Sequence, residues 1–438
     1  MIFRSPYPDV TIPETPLTTF VLHRAAELAD KPAIIDGPSG RTLTYAQLAG
    51  AIRLVAAGLA QRGFQKGDVF AIYSPNLPEY AVAFHAVAAL GGVNTTVNPL
   101  YTVHELISQL KNAGAKYLLT IPQFIGPALE AAKALHLREV FVFGEAAGAT
   151  PFAALLQNDG VAPVVEIDPK KDLVVLPYSS GTTGLSKGVM LTHHNLVANI
   201  MQVEGVEYGQ IKVDERDVLM GLLPFYHIYG MIVVMNCALF VGATIVTMPR
   251  FDLEQFLQII QKYKVSVAHL VPPIILTLAK HPLVDQYSLT SLRVIYSGAA
   301  PLGEDVARAC ANRVGCIVSQ GYGLTETSPV THSTPYTPGM PKLAGVGPCL
   351  PNTEGKIMEV ATGAELGPNE LGEVCIRGPQ VMQGYLNNPQ ATANTIDREG
   401  WLHTGDIGYA DEEGTFYIVD RLKELIKYKG LQVAPAEL

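Results

Sequence analysis

Charge is scarce in this chain of 438 residues, cysteine is scarcer, and the common nucleotide-loop motif is missing. Only 16% of the residues are Asp, Glu, Lys or Arg while 48% are hydrophobic, which excludes a disordered chain and favours a packed globular enzyme of two or three domains. Basic residues number 31 against 40 acidic ones, a net charge of −9, so no general nucleic-acid surface is expected and any polyanionic ligand has to be bound locally. The five cysteines, Cys237, Cys310, Cys316, Cys349 and Cys375, show no metal-ligand spacing and are too few to staple a chain this long. Reduced, mostly buried thiols and a cytoplasmic setting are the expectation. The opening MIFRSPYPDVTIPETP has no basic start followed by an apolar core, so it does not read as a secretory signal. From Val218 to Pro249 no charged residue occurs, a length that reaches across a bilayer. Pro224, His227, Gly230, Asn236 and Gly242 interrupt it, and GATIVTM near its end reads as a short buried strand, so no membrane span is expected.

What is present is alternation. DVFAIYS precedes PEYAVAFHAVAALGG, KYLLTI precedes FIGPALEAAKAL, ATIVTM precedes LEQFLQIIQKY and VSVAHLV precedes PPIILTLAKH, a pattern of strand then helix that favours parallel sheets covered by helices. After about Lys342 the texture changes to short alternating strands, EGKIMEV, GEVCIRG and GTFYIVD, divided by Gly, Pro and Asn turns. The fold class read from this is α/β: two parallel-sheet lobes, residues 1–170 and 171–341, and a small β-barrel-like subdomain, residues 342–421.

The stretch YSSGTTGLSKG, Tyr178 to Gly188, carries Ser179, Ser180, Gly181, Thr182, Thr183 and Gly184 before the single cation Lys187. Backbone with so little side-chain bulk can turn its N–H groups inward around an anion, with hydroxyls and ammonium as further donors. It is not the GxxxxGK loop, because Leu185 and Ser186 precede the lysine. The alternative is a flexible linker, disfavoured because the segment sits between an apolar strand, DLVVLPY, and a strand that turns into a helix at Thr192. Further on, Ala299, Ala300 and Pro301 in YSGAAPLG allow a flat base to lie against backbone. GYGLTETSPV sets Tyr322 between Gly321 and Gly323 and Glu326 between Thr325 and Thr327. Asp406 in WLHTGD and Arg421 in VDRLKELIKYKG are an acceptor and a donor suited to ribose hydroxyls. Each has a plainer reading taken singly: a packed aromatic at Tyr322, a solvated charge at Glu326, a turn-fixing Asp406.

Taken in order, YSSGTTGLSKGVMLTH, GYGLTET, WLHTGD and VDRLKELIKYKGLQVAPAEL resemble the signature motifs of adenylate-forming acyl-CoA synthetases, in particular the branch of 4-coumarate:CoA ligases and beetle luciferases. The resemblance runs from Thr42 to Leu438. It implies that ATP, with Mg2+, activates a small carboxylic acid as an acyl-adenylate, and that coenzyme A then displaces AMP. By that resemblance Ser179, Ser180, Gly181, Thr182, Thr183, Gly184 and Lys187 hold the β- and γ-phosphates, Glu326 holds Mg2+ and Thr325 touches the α-phosphate. Tyr322 would stack on adenine, and Asp406 with Arg421 would hold ribose. His227 in PFYHIYG resembles the family's histidine beside the incoming carboxylate, its alternative being a packed ring at an apolar helix start. Tyr226, Gly298, Gly321, Gly323, Pro329 and Val330 resemble the lining of an acyl pocket, the small ones leaving room for an aromatic, cinnamate-like acid or one of medium length. Plant coumarate ligases commonly carry lysine where Tyr296 stands, a departure from a hydroxycinnamate pocket.

The family adds a small mobile C-terminal domain with a second catalytic lysine, beginning near VAPAEL, and the resemblance makes residues 422–438 the hinge leading to it. Lys427 and Gln432 match catalytic positions, and Lys423 lies in the hinge. A chain ending at Leu438 is expected to bind nucleotide but to turn over poorly, and a peroxisomal tripeptide would lie beyond it. Two other outcomes share the first step: transfer of the acyl group to an amine, or to a carrier-protein thiol. Light emission is a further activity by resemblance alone. A non-enzymatic nucleotide-binding module is disfavoured by the joint presence of the phosphate loop, Glu326, His227 and Asp406.

Overall fold

The computed structural model describes residues 1–179, 186–206, 211–335 and 344–422, together with the strands Ile426–Tyr428 and Leu431–Val433. Ser180, Gly181, Thr182, Thr183 and Gly184 of the expected phosphate cradle lie outside these residues, as do Lys423 and the side chains of Lys427 and Gln432.

The alternating apolar runs fold as their pattern requires. Val69–Tyr73 leads into the helix Pro78–Ala89, Ala115–Thr120 into Ile125–Leu135, Thr244–Thr247 into Leu253–Tyr263, and Val267–Leu270 into Pro272–Lys280. These strands are buried along most of their length, which is why they read as continuous apolar runs rather than as alternation. In the first sheet Leu173–Leu176, Val93–Val97, Val69–Tyr73, Ala115–Thr120 and Glu139–Val142 run parallel in that order, and Lys187–Thr192 adds antiparallel to Leu173–Leu176. In the second, Ile317–Gly323, Val294–Ser297, Val267–Leu270, Val218–Gly221, Thr244–Thr247 and Pro32–Asp36 run parallel, edged by the antiparallel Val330–Ser333 and Thr42–Thr44. The third is antiparallel: Ile2–Arg4, Glu354–Met358, Gly372–Arg377, Leu402–Ala410 and Phe416–Arg421. Its first and last strands do not pair with each other among the described residues, so it is an open sheet and not a closed barrel.

Sheet membership crosses the expected division at 170/171. Pro32–Asp36 and Thr42–Thr44 enter the second sheet, Leu173–Leu176 and Lys187–Thr192 the first, and Ile2–Arg4 the third. The expected assignment of the phosphate loop to the second lobe is therefore corrected, since both its flanking strands belong to the first sheet. A strand joins the edge that satisfies its backbone groups and covers its apolar face, whatever its distance along the chain.

Among the described residues no helix is long and apolar enough to cross a membrane. The uncharged stretch breaks into the strand Val218–Gly221, a π-helical turn Gly230–Asn236, the helix Cys237–Val241 and the strand Thr244–Thr247. All five cysteines are free.

Candidate active site

The helix expected at Thr192 starts there, on a capping box: the Thr192 hydroxyl accepts the Asn195 N–H and the Asn195 amide oxygen accepts the Thr192 N–H. Asn195 also donates to the carbonyls of Pro379 and Val381, tying the helix His193–Glu204 to the approach to the third sheet. Where these elements meet, a cavity of about 570 Å³ opens. Ser179, Lys187, Tyr226, His227, Gly298, Ala299, Gly321, Tyr322, Gly323, Thr325, Glu326, Pro329, Val330 and Arg421 all line it. Ala300 and Pro301 follow on an exposed loop outside the lining, and Asp406 lies behind it, 5% exposed.

Glu326 is not a solvated charge. Its side chain is buried on the short turn Thr325–Thr327, and one oxygen, Oε1, accepts the Ser179 hydroxyl at 2.8 Å and the Tyr385 hydroxyl at 2.8 Å. Among the described residues Oε2 makes no hydrogen bond. A buried carboxylate with one oxygen engaged and the other without a protein partner suits a hard, oxygen-seeking cation such as Mg2+. Lys187 Nζ stands 4.8 Å from the centre of the Tyr385 ring, so the cation, the tyrosine and the carboxylate form one cluster. Tyr385 gives no signal in the sequence. It arrives because the short strand Gly384–Tyr385 pairs with Val189 and Met190 of the first sheet.

A second polar cluster sits beside it. Asp406 and Arg421 face each other across neighbouring strands, with Arg421 Nε 3.3 Å from Asp406 Oδ1. The Tyr322 hydroxyl donates to Asp406 Oδ2 at 2.6 Å. Burial raises the Asp406 carboxyl above its ordinary range, and the Tyr322 hydroxyl and the guanidinium oppose that shift. Tyr322 is thus both packed, against His332 with centroids 5.8 Å apart, and polar at its tip.

The acyl side is mostly apolar, with Glu204, Lys212 and His269 as polar groups in its lining. His227 is exposed to the cavity, and desolvation by the surrounding protein lowers its pKa. Its Nδ1 accepts the Tyr229 N–H at 3.4 Å, which places the proton of the neutral ring on Nε2. The turn before it is held by Asn76, buried, which donates to the carbonyls of Gly221 and Leu223 and accepts the Phe225 N–H. Val330 is held in the same way by Asn199, which bonds both its N–H and its carbonyl. Neither asparagine belongs to a recognisable motif. Beyond His227 the walls include Tyr229, Val233, Cys237, Ala238, Val241 and Tyr296. Gly298 and Gly323 line the cavity, and each has a close neighbour as well: a Cβ on Gly298 would lie 2.6 Å from the Tyr229 ring, and one on Gly323 would lie 2.0 Å from the Pro329 carbonyl. Tyr229, which the motifs do not single out, therefore shapes the pocket, with its hydroxyl 3.1 Å from His269 Nδ1.

A family model described as AMP-binding enzyme matches residues 21–386. The chain belongs to this family. Within it, the 4-coumarate--CoA ligase 1 of Solanum tuberosum is 46% identical over 444 residues, covering 100% of this chain and 81% of that protein. The 4-coumarate--CoA ligase of Pinus taeda is 43% identical over 447 residues, covering 100% of this chain and 82% of that protein. Among solved structures, a natural red emitting luciferase from Phrixothrix hirtus superposes with a TM-score of 0.84 at 34% identity, covering 100% of this chain and 82% of that one. ATP-bound MatB from Rhodopseudomonas palustris does so with 0.85 at 30% identity, covering 96% of this chain and 82% of that one. The family placement that the ordered motifs imply is established by these similarities.

Proposed function

We propose that the chain activates a carboxylic acid with ATP and transfers the acyl group to the thiol of coenzyme A. The observation that carries this reading is one cavity lined by the buried Glu326 carboxylate, Lys187 and Arg421, with Asp406 bonded to Arg421 just behind the wall, continued by a mostly apolar arm beyond His227.

The carboxylate oxygen of the acid attacks the α-phosphorus of ATP while the bond to pyrophosphate breaks, so negative charge gathers on phosphate oxygens. Lys187 meets that charge at the outer phosphates, and the Thr325 hydroxyl donates at the α-phosphate. Glu326 Oε2 would hold Mg2+, which when bound draws charge from the phosphates. Tyr322 and the Gly298–Ala299 backbone flank the base, and Asp406 with Arg421 takes the ribose hydroxyls, one of which replaces the Tyr322 hydroxyl on Asp406. The His227 Nε2–H holds the incoming carboxylate in line. In the second step the coenzyme A sulfur, its proton lost, attacks the acyl carbon and AMP leaves. The mostly apolar arm suits an aromatic or medium-length acid.

The test is to supply ATP, Mg2+ and coenzyme A with a panel of cinnamic, benzoic and medium-chain acids and to weigh the products by mass spectrometry. Acyl-CoA and AMP are expected together for at least one acid. With the chain extended through the family's small C-terminal domain, acid-dependent pyrophosphate without acyl-CoA would move the second step to an amine or a carrier thiol, and no acid-dependent pyrophosphate would overturn acid activation.

A further inference from the structure

The strand that carries Asp406 is irregular at the point that matters. Cys375 pairs with His403 and Glu373 with Ile407, so between these pairs Val374 alone stands opposite Thr404, Gly405 and Asp406. The surplus residues bulge, and Gly405 takes a left-handed φ of 71° that a side chain would disfavour. A bulge leaves backbone groups without ladder partners and re-aims the side chains beside it. Here side chains supply the missing partners. Glu373 Oε1 accepts the Gly405 N–H at 3.0 Å, while Oε2 lies 2.8 Å from His403 Nδ1. The Thr404 hydroxyl donates to the Val374 carbonyl at 2.7 Å and accepts the Asp406 N–H at 3.0 Å. One carboxylate therefore grips the bulge on both sides of Thr404.

Glu373, Cys375 and His403 bring their donor atoms within 4.8 Å of one another, a spacing that a metal would also accept. A clamp accounts for the contacts better. Burial pushes the Cys375 thiol well above its ordinary range, so it stays protonated, and both Glu373 oxygens and His403 Nδ1 already have partners. The hydrogen bond to Glu373 raises the His403 pKa above its ordinary value against the effect of burial; Asp397, with Oδ2 3.7 Å from Nε2, adds to the rise, and the Lys356 ammonium opposes it.

We propose that Glu373 is a positioning residue for the nucleotide site: it fixes the Thr404–Asp406 bulge and, through it, the direction in which Asp406 meets ribose. This rests on the reading of Asp406 as the ribose acceptor, and the experiment separates the two. Dissociation constants of AMP and of 2′,3′-dideoxy-AMP are measured by calorimetry for the wild type, Asp406→Ala, Glu373→Ala and Glu373→Gln. Losing charge-assisted bonds to the ribose hydroxyls should give the wild type an advantage for AMP of about ten- to a hundredfold. Asp406→Ala is expected to erase that advantage; if it survives, the ribose reading itself falls. Glu373→Ala is expected to shrink it to about threefold or less while the affinity for dideoxy-AMP changes by less than about twofold. Glu373→Gln keeps an acceptor for the Gly405 N–H and is expected to restore most of the advantage. Should Glu373→Ala not fold, Glu373→Asp, too short to span both partners, is expected to lose at least part of it. Equal losses for both ligands, or an intact advantage in Glu373→Ala or Glu373→Asp while Asp406→Ala has lost it, would overturn the positioning role.

Discussion

On the nucleotide side of the cavity the reactive-looking groups are charges held by their neighbours: Glu326 takes two hydroxyls on one oxygen, and Asp406 takes Tyr322 and Arg421. On the acyl side Val330, Val233 and Ala238 present carbon to a mostly apolar wall that also carries Glu204, Lys212 and His269, and the asparagines that hold it, Asn76 and Asn199, lie behind it. The difference teaches how each side fails. Removing a charge leaves a buried partner unpaired and costs discretely, whereas trimming a carbon wall changes a volume and costs by degrees.

The strongest way to break this contrast is Glu326→Gln, which keeps the shape and Oε1 but removes the charge. Acid-dependent pyrophosphate release is expected to fall about a hundred- to a thousandfold, with AMP affinity nearly unchanged. A comparable loss in AMP binding would place Glu326 on the same footing as the ribose pair. Lys187→Ala comes next: by calorimetry ATP and pyrophosphate should bind about ten- to a hundredfold more weakly, and AMP hardly less. Equal losses for ATP and AMP would move Lys187 away from the outer phosphates.

Buried histidines at and away from the acyl wall carry an electrostatic liability that pH exposes. His269, beside Tyr229 in the cavity lining, and His85, packed against Thr18 in the core, are buried, and desolvation pulls each pKa down to about 3. Above the ordinary value of about 6.5 both are neutral whether folded or not, so they leave stability unaffected. Below it the unfolded chain takes up protons that the folded one refuses, so stability falls by about 1.4 kcal/mol per pH unit for each histidine as pH drops toward 3. Urea unfolding between pH 7 and 5 checks this, and His269→Gln should flatten the slope. The smallest effect is expected at Val330→Gly: the preference among acids in the pyrophosphate assay should shift toward bulkier ones by about tenfold and no more. An unchanged profile would locate the limiting wall elsewhere, with Tyr229 the first alternative.

Much of this site is legible in local sequence because its charges are sparse. Lys187 in a run of small residues, Glu326 between threonines and Asp406 after a glycine stand out against the apolar pattern around them, and all three meet in or beside one cavity. Thr192 announces its helix because a cap is a short-range device, closed within three residues. Tyr385, Asn199, Asn76 and Glu373 announce nothing, since each acts through a partner far along the chain or across a sheet. Tyr385 lies 59 positions from the Glu326 it bonds, and Ser179 lies 147 from that same carboxylate.

Strand and helix content, the helix start at Thr192 and the residue types of the nucleotide site follow from periodicity, caps and motif order, all of which are local and survive without a fold. Which sheet each strand enters was decided only in three dimensions: Pro32–Asp36 crosses to the second sheet and Leu173–Leu176 to the first because edge hydrogen bonds and apolar faces are satisfied there. The tertiary structure also decided that Gly298 packs against Tyr229, and that a one-against-three bulge gripped by Glu373 precedes Asp406. Volume and direction are properties of packed neighbours, and no stretch of sequence carries its neighbours with it.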